Sequence, residues 1–172
     1  MRIRPFVQDD LARVTELTIE TFGPFYEEHF RPLVGEAVFA NQHGDWRGDW
    51  RGDYHRQLAG LHDPARHKHV AVAEPEPGSE PAPGSGIAGY VAWSVDPARR
   101  NGVISHLAVG SARRRHGLGT ALCEHAFGAL REHGAEVVEI GTGGDPFHAP
   151  ARALYDRLGC VALPVVVYYR RL

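Results

Sequence analysis

The chain has 172 residues, 43% of them hydrophobic and 23% charged, which is typical of one soluble globular domain with a sizeable core. Its 19 basic and 21 acidic residues give a formal net charge of -2. This balance argues against a general nucleic-acid-binding protein, which usually carries a basic surplus. The apolar runs fall short of the about 18 residues that a membrane span needs. We therefore expect a single domain, residues 1–172, that binds neither nucleic acid nor a membrane.

The cellular compartment is indicated by the amino terminus and by the two cysteines. The first residues, "MRIRPFVQDD", lead straight into a strand and a helix, with no apolar signal region. Cys123 and Cys160 both lie in apolar surroundings. Two buried thiols in a chain without a signal peptide are typical of a reducing cytoplasm. A disulfide or a metal site made by this pair stays open as the alternative.

The first part of the chain predicts two strands separated by a helical region. "RIRPFV" is the first strand, and Asp9 or Asp10 is expected to cap the helix that follows. One face of this helix carries Leu11, Val14, Leu17 and Thr18. Residues 23–63 are predicted to be helical in pieces, and "HVAVA" (69–73) is the second strand.

A Pro-, Gly-, Ser- and Glu-rich tract, "EPEPGSEPAPGSG" (74–86), follows the second strand. Its composition cannot build a core, so we predict a flexible surface loop. Because strand patterns lie on both sides of it, we expect an enlarged hairpin connection rather than a boundary between domains.

The rest of the chain alternates further strands with two helices. In order, these are strands over "IAGYVAWSVD" (87–96) and "GVISHLAV" (102–109), a helix from about Gly117 to His133, a strand over "EVVEIGT" (136–142), a helix with Ala151, Leu154, Tyr155 and Leu158 on one face, and a final strand, "VVVYYRRL". This order predicts a mixed α/β sheet of the α+β type, not an alternating doubly wound one.

The stretch "LAVGSARRRHGLGTAL" is the one most suggestive of chemistry. A strand ends at Val109, and a helix opens near Gly117. Glycines let backbone amides approach an anion, and a helix start offers unpaired N–H donors and a positive dipole end. Four further side chains add charge: Arg113, Arg114, Arg115 and His116. The loop is neither a P-loop nor a dinucleotide fingerprint. Taken alone, it is equally well a surface turn with solvated arginines.

The surrounding motifs decide between these alternatives. Arg114-x-x-Gly117-x-Gly119 directly follows "HLAV", and "HAPARALYDRLGC" comes after the next strand. This ordered pair resembles the GNAT family of acyl-CoA-dependent N-acetyltransferases, most strongly over residues 102–172. The resemblance implies a mixed, mostly antiparallel sheet of about six or seven strands flanked by helices and splayed between the fourth and fifth strands. It also implies acetyl-CoA as co-substrate, no metal, and a homodimer.

The resemblance assigns roles to individual residues. Backbone groups near the end of the fourth strand hold the pantetheine arm and the thioester, and the amides of the following loop hold the pyrophosphate. The cofactor-binding set is Leu107, Ala108, Val109, Arg114, Arg115, His116, Gly117, Leu118, Gly119, Thr120 and His148. His148 stands where the family often has Asn; it is expected to contact the cofactor, to relay a proton, or only to cap the helix. Tyr155 takes the general-acid position, since a tyrosine pKa of about 10 keeps its proton available.

The general base is left open by the sequence. His106 on the fourth strand titrates in the right range, although a buried histidine satisfied by hydrogen bonds is the alternative. Strand alternation places Ser105 and His106 on opposite faces, but a bulge of the kind the family usually has would upset this parity. Glu139 and Asp145 are further candidates, as base or as contacts to the acceptor.

The stretch "DWRGDWRGDY" is a four-residue unit written twice and begun a third time. In the family, the segment at this place walls the acceptor site. As a helix, it would carry Asp45, Asp49 and Asp53 on one stripe and Trp46, Trp50 and Tyr54 on the next. Acids beside aromatic rings suit a polycationic amine. A neutral duplication is the equal alternative, and adhesion through Arg-Gly-Asp does not fit a cytoplasmic protein.

The sequence thus predicts a cytoplasmic transferase that moves an acetyl group from acetyl-CoA to a primary amine of a small polar molecule. An aminoglycoside-type antibiotic is the first candidate acceptor, which would make the protein a resistance enzyme. Two alternatives remain. One is an acetyltransferase of protein N-termini or lysines, and the other is an acyl-CoA-binding module without activity.

Overall fold

The computed structural model describes residues 1–43, 56–76 and 86–172. Within these ranges, five strands form one sheet in the order β1-β2-β3-β4-β5. The strands are β1 Arg2–Pro5, β2 Lys68–Glu74, β3 Gly89–Asp96, β4 Asn101–Val109 and β5 Val137–Ile140. Strands β1 to β4 pair antiparallel with their sequence neighbours, and β5 joins β4 in parallel. The mixed, mostly antiparallel sheet is confirmed.

Helices cover both faces of this sheet. They are α1 Leu11–Pro24, α2 Arg31–Val34, α3 Glu36–His43, α4 Leu118–Glu132 and α5 Ala149–Arg157, with a helical turn at 56–59. A π-helix, Phe25–Phe30, directly follows Pro24. Proline has no N–H for the preceding turn, which explains why the α-helical pattern ends there. None of the helices in the described ranges is both long and apolar enough to cross a membrane.

Each face of the sheet has its own hydrophobic core. On one face, α4 buries Leu118, Leu122 and Leu130 against β3 and β4. On the other, α1 packs Val14 and Leu17 against strand residues that point the opposite way. The predicted inner face of α1 is confirmed, because Leu11, Val14, Leu17 and Thr18 are all buried. We call these two surfaces the α4 face and the α1 face.

A β-bulge at Ser105 interrupts the pairing of β3 with β4. Ile104 pairs with Trp93 and His106 pairs with Ala92, so Ser105 is the surplus residue. Such a bulge reverses the side-chain alternation beyond it.

The contacts of β4 show this reversal directly. Ile104 and, three residues later, Leu107 both pack into the α4-face core, as does Val109. His106 and Ala108 therefore point to the α1 face, where Ala108 belongs to the core. The bulge that the sequence analysis left open thus fixes which face each residue of β4 occupies.

The fourth and fifth strands splay apart, as the resemblance implies. β5 pairs with β4 only from Asn101 to Ile104. β4 itself runs on to Val109, so its last residues lie beside a gap rather than beside β5. We call this unpaired edge of β4, from Ser105 to Val109, the gap between β4 and β5.

The predicted last strand is wrong, and the sheet has fewer strands than expected. Residues 160–172 form no strand, and their side chains are largely exposed, with Val161 at 96% and Val167 at 66%. β-branched residues gain their strand preference from cross-strand neighbours, and in the described part of the chain no strand pairs with this segment. Pro164 also has no N–H to donate to a ladder.

Two other details differ from the prediction. Asp10 caps no helix: its carboxylate accepts from the Val7 amide at 2.8 Å and from Arg4, closing the short 3₁₀ turn before α1. The Arg4 hydrogen bond is the main reason that the pKa of Asp10 is lowered. Glu74, placed in the loop by composition, is the last residue of β2. Since β2 and β3 are antiparallel neighbours, the tract after it does join two paired strands.

Four imidazole rings gather near the start of β2. His69 stacks on Trp93 with ring centroids 5.7 Å apart, and His133 and His62 lie 4.9 Å and 6.4 Å from it. Burial, and then the neighbouring His133, His62 and His67, lower the pKa of His69. Among the described residues, its buried Nε2 has no hydrogen-bond partner.

We expect this cluster to make the protein less stable as the pH falls below about 6.5, the unperturbed pKa of histidine. The pKa of His69 is lowered in the folded protein, so the unfolded chain binds this proton first as the pH falls. Proton binding therefore stabilises the unfolded state relative to the folded state. The His69→Phe variant keeps the stacked ring but cannot titrate. Urea unfolding from pH 7.5 to 5 should therefore show a shallower loss of unfolding free energy in the variant. Parallel pH profiles for the two proteins would contradict this role.

Candidate active site

The bulge at Ser105 places His106 on the α1 face, beside the gap between β4 and β5. The Ser105 hydroxyl donates to the carbonyl of Ala92 at 3.3 Å, and His106 Nδ1 lies 3.2 Å from the same hydroxyl oxygen. Since that oxygen has already given its hydrogen away, it accepts from the ring, which puts the imidazole hydrogen on Nδ1. The lone pair is then on Nε2. Burial lowers the pKa of His106, which favours this neutral form.

The end of β4 leads into the glycine-rich loop. Leu107 and Val109 point to the α4 face, and Ala108 is buried on the α1 face. The Val109 carbonyl accepts a hydrogen bond from Arg114 Nε at 3.0 Å, so the loop folds back towards the splayed strand. The backbone that the resemblance assigns to the pantetheine arm therefore lines the gap.

Helix α4 opens with a glycine in a left-handed conformation. Gly117 has φ +80°, and an added Cβ would meet no atom within 4 Å, so the backbone angle rather than space calls for glycine. Gly119 instead approaches Leu154 of α5, since a Cβ there would lie 3.2 Å from its Cδ2. Arg115 has a positive φ of 67°, and the His116 ring contacts the Arg114 carbonyl at 2.7 Å.

The start of α4 is suited to binding an anion. The first hydrogen bond of the helix runs from the Ala121 amide to the Gly117 carbonyl at 3.0 Å. In the part of the chain that the structure describes, no side chain caps this end. The amides of Leu118, Gly119 and Thr120 therefore face outward with the positive end of the helix dipole. Exposed Arg114 and Arg115 add charge beside them, which fits the pyrophosphate of a CoA ester.

Tyr155 lies on α5 and packs into the α4-face core. Burial, followed by the nearby thiols of Cys123 and Cys160, raises the pKa of Tyr155 to about 12. The hydroxyl therefore stays protonated at neutral pH and can act as an acid. Both cysteines are free thiols, and burial raises the pKa of Cys123 to about 12.

Asp145 and His148 form a close pair in the loop after β5. His148 Nδ1 lies 2.6 Å from Asp145 Oδ2, and the His148 amide donates to Oδ1 at 3.3 Å. Burial is the largest single influence and would raise the pKa of Asp145, but the side-chain hydrogen bond and charge interaction with His148 and two backbone hydrogen bonds together outweigh it, and the pKa is lowered. His148 thus sits at the start of α5 as predicted, with Asp145 as the partner that the sequence left unassigned.

An aromatic stripe bridges the two histidines. The Phe22 ring meets His106 edge-on at 6.3 Å, and the Phe25 ring meets His148 at 4.6 Å. Residues three apart on a helix are neighbours, so both imidazoles lie under one side of the same helical segment. Phe147 adds a further ring, 5.6 Å from Phe25. Sequence reasoning missed this stripe, although the spacing in "FGPFYEEHF" signals it.

The remaining predicted residues are distributed as follows. Glu139 pairs with Val103 and is exposed. Its neighbours Val138 and Ile140 pack on the α4-face core, so Glu139 points to the α1 face, as His106 does. The predicted acceptor wall, Asp45, Trp46, Asp49, Trp50 and Asp53, lies outside the described residues.

A splayed pair of parallel strands beside a glycine-led, uncapped helix start is the arrangement expected from the resemblance to the acetyltransferases. The model of the acetyltransferase (GNAT) family matches residues 17–160. The chain belongs to this family. Among curated proteins, none matches it in sequence.

Solved structures share the fold over nearly the whole chain. A Desulfovibrio desulfuricans structure assigned to the GNAT family is 20% identical, with 96% of this chain and 87% of that one covered and a TM-score of 0.68. The BH1408 protein of Bacillus halodurans, as a tetramutant, is 19% identical, with 99% and 100% covered and a TM-score of 0.70. The aminoglycoside antibiotic 6'-N-acetyltransferase AAC(6')-IG of Acinetobacter haemolyticus is 16% identical, with 100% and 99% covered and a TM-score of 0.59. At these identities the likeness concerns the fold alone.

Proposed function

We propose that the protein transfers the acetyl group of acetyl-CoA to a primary amine. The observation that carries this proposal is the gap between β4 and β5, which opens beside the uncapped start of α4 and has Tyr155 on one face and His106 on the other. The thioester would lie in the gap, the pyrophosphate at the helix start, and the amine on the α1 face. The two free thiols are in keeping with a cytoplasmic enzyme.

The proton balance of the reaction matches these groups. An alkyl ammonium ion and acetyl-CoA give the amide, free CoA thiol and one proton. The amine lone pair forms the C–N bond, and the C–S bond breaks. Tyr155 gives its proton to the leaving sulfur, and His106 Nε2 takes a proton from the nitrogen after attack and returns it towards Tyr155. A second nitrogen proton leaves for solvent.

A small polycationic amine of the aminoglycoside type is our first candidate acceptor. The aromatic side chains of the α1 face and exposed Glu139 suit a cation, and one structure of similar fold is an aminoglycoside acetyltransferase. Glu27 and Glu36 contribute less charge than their number suggests, because Arg31 bonds to both at 3.1 Å and 2.6 Å. Acetylation of protein N-termini or lysines is the second candidate.

Thiol release from acetyl-CoA tests the proposal. Purified protein is incubated with acetyl-CoA and, separately, kanamycin, spermidine, free lysine and a peptide with one lysine. Amine-dependent release of CoA, with an added acetyl mass on the amine, is the expected result, and kanamycin is expected to react fastest. Turnover of the peptide alone would move the function to protein acetylation. Binding of acetyl-CoA without turnover of any amine would overturn the enzymatic proposal.

A further inference from the structure

We propose that Asp145 and His148 form a proton-accepting dyad: His148 Nε2 takes the first proton from the incoming ammonium group, and Asp145 is the positioning residue that holds the ring. This inference deepens the proposed function and rests on it. His148 would be catalytic, rather than a contact to the cofactor or a simple helix cap.

The hydrogen bonds of the pair fix the tautomer. Asp145 is ionised at neutral pH because its pKa is lowered, so its carboxylate can only accept. The ring nitrogen that it meets at 2.6 Å, Nδ1, must therefore carry the hydrogen. Nε2 is then the nitrogen left to gain a proton, and the carboxylate stabilises the positive charge that results. As a helix cap, His148 would turn its ring to an amide of α5, but within the described residues its side chain makes no capping hydrogen bond.

The surrounding loop holds this arrangement from both sides. A Cβ at Gly143 would overlap both Asp145 Oδ2 and His148 Nδ1, so the backbone approaches the pair as closely as a glycine permits. Arg152 of α5 reaches back to the same loop, where its Nη1 donates to the Asp145 carbonyl at 2.7 Å and to the Gly143 carbonyl. The His148 side chain is only 17% exposed. Its ring is therefore held in one orientation.

The dyad and His106 belong to one site. Phe22 and Phe25 place the two imidazoles under the same helical stripe, with His106 on β4 and His148 in the loop after β5. A nitrogen that reacts in the gap between β4 and β5 would pass both of them.

Two acceptors match the two protons that the nitrogen must lose. The ammonium ion gives its first proton to His148 Nε2, and this transfer makes the amine a nucleophile. His148 later releases that proton to solvent. After the C–N bond forms, the nitrogen is a far stronger acid, and neutral His106, whose pKa is lowered, suffices for the second proton. That proton restores Tyr155 after its own has gone to the sulfur. Atoms and charges balance with no further reactant.

The test compares His148→Asn with the wild type, since asparagine is the residue that the family often has at this position. For the panel amine that the wild type acetylates fastest, kcat/KM of the variant at pH 7 should fall about 100-fold. The deficit should shrink towards pH 9.5, where more of the amine is already deprotonated. The acetyl-CoA Kd, measured by calorimetry, should be unchanged. His67→Asn is the matched control and should behave as the wild type. His67 is exposed, and its φ of 56° suits asparagine.

A second variant tests the positioning role of Asp145. Asp145→Asn should lower kcat/KM about 10-fold, and combined with His148→Asn it should add nothing further. In the wild type, nitrogen-15 NMR of the imidazoles should show His148 with its hydrogen on Nδ1.

The outcomes separate the two proposals. A wild type that acetylates no amine overturns the proposed function and the dyad with it. An active wild type with an unchanged His148→Asn pH profile overturns the dyad alone. A weaker acetyl-CoA Kd at constant kcat makes His148 a cofactor contact, which also overturns it. A hydrogen on Nε2 overturns it whatever the activity.

Discussion

Replacing Tyr155 with phenylalanine is expected to lower kcat for acetyl transfer about 100-fold, at the low end of the range for general acid catalysis. The hydroxyl is the only group removed, and the ring keeps its place in the α4-face core. Because burial raises the pKa of Tyr155 to about 12, the wild-type hydroxyl holds its proton throughout the neutral range and can protonate the leaving sulfur. Steady-state thiol release with saturating amine and acetyl-CoA measures the effect.

In the Tyr155→Phe variant, kcat should fall while the affinity for acetyl-CoA is retained. The acetyl-CoA Kd should stay within about twofold of the wild type, since the loss concerns a group used only as the C–S bond breaks. Tyr168→Phe is the matched control, because Tyr168 is 90% exposed and lies in the tail after α5. Equal kcat values for the Tyr155 and Tyr168 variants would remove Tyr155 from the mechanism.

Truncating Leu122 to alanine should lower the free energy of unfolding by about 2–5 kcal/mol. Leu122 lies on the inner side of α4 with 0% of its surface exposed. It packs so closely on β3 that a Cβ at Gly89 would lie 3.1 Å from its Cδ1. The alanine leaves a cavity between helix and sheet, which neighbouring side chains fill only in part. Urea unfolding followed by tryptophan fluorescence and circular dichroism gives the difference.

Leu163→Ala is the control for this measurement. Leu163 is 84% exposed, so the same truncation should change stability by no more than about 0.5 kcal/mol. A loss of about 2–5 kcal/mol in both variants would show that the tail is packed against the protein in solution. A loss of no more than about 0.5 kcal/mol in both variants would show that α4 is not anchored through Leu122.

Local patterns were sufficient for most of the fold. The inner residues of α1 and α4 recur at helical spacing, and the strands from β2 to β4 are runs of β-branched and small apolar residues, so their positions follow from nearby chemistry. The glycine-rich loop was likewise found from its residues, although Gly119 proved to pack against Leu154.

Features that depend on distant partners were not accessible in this way. The surplus residue at Ser105 exists only by comparison with β3, which sets the pairing on either side of it. The tail has the composition of a strand, but none of the described strands pairs with it. Asp10 was recognised as a capping residue, yet Arg4, on β1, helps to direct its carboxylate to Val7.

For the site, the individual residues could be predicted from the sequence, but their arrangement could not. His106, His148 and Asp145 were all singled out as candidates, because each carries a group that can move a proton. Their grouping was not foreseen, since it requires the splay of β4 from β5 and the aromatic stripe above both. The role of each of these residues stays a prediction until the variants are measured.

The bulge on β4 has the form of a one-residue insertion that the sheet absorbs where it occurs. Without Ser105, Ile104 and His106 would be consecutive and would still pair with Trp93 and Ala92. His106 would then keep its place on the α1 face, and Leu107 would keep its place on the α4 face, because a regular strand alternates in that same order. What Ser105 adds is the hydroxyl that contacts Ala92 and His106, together with the stronger local twist of a bulge. A chain that lost this one codon would therefore retain every facing on β4 and lose only the contact that sets the His106 tautomer and the local course of the strand.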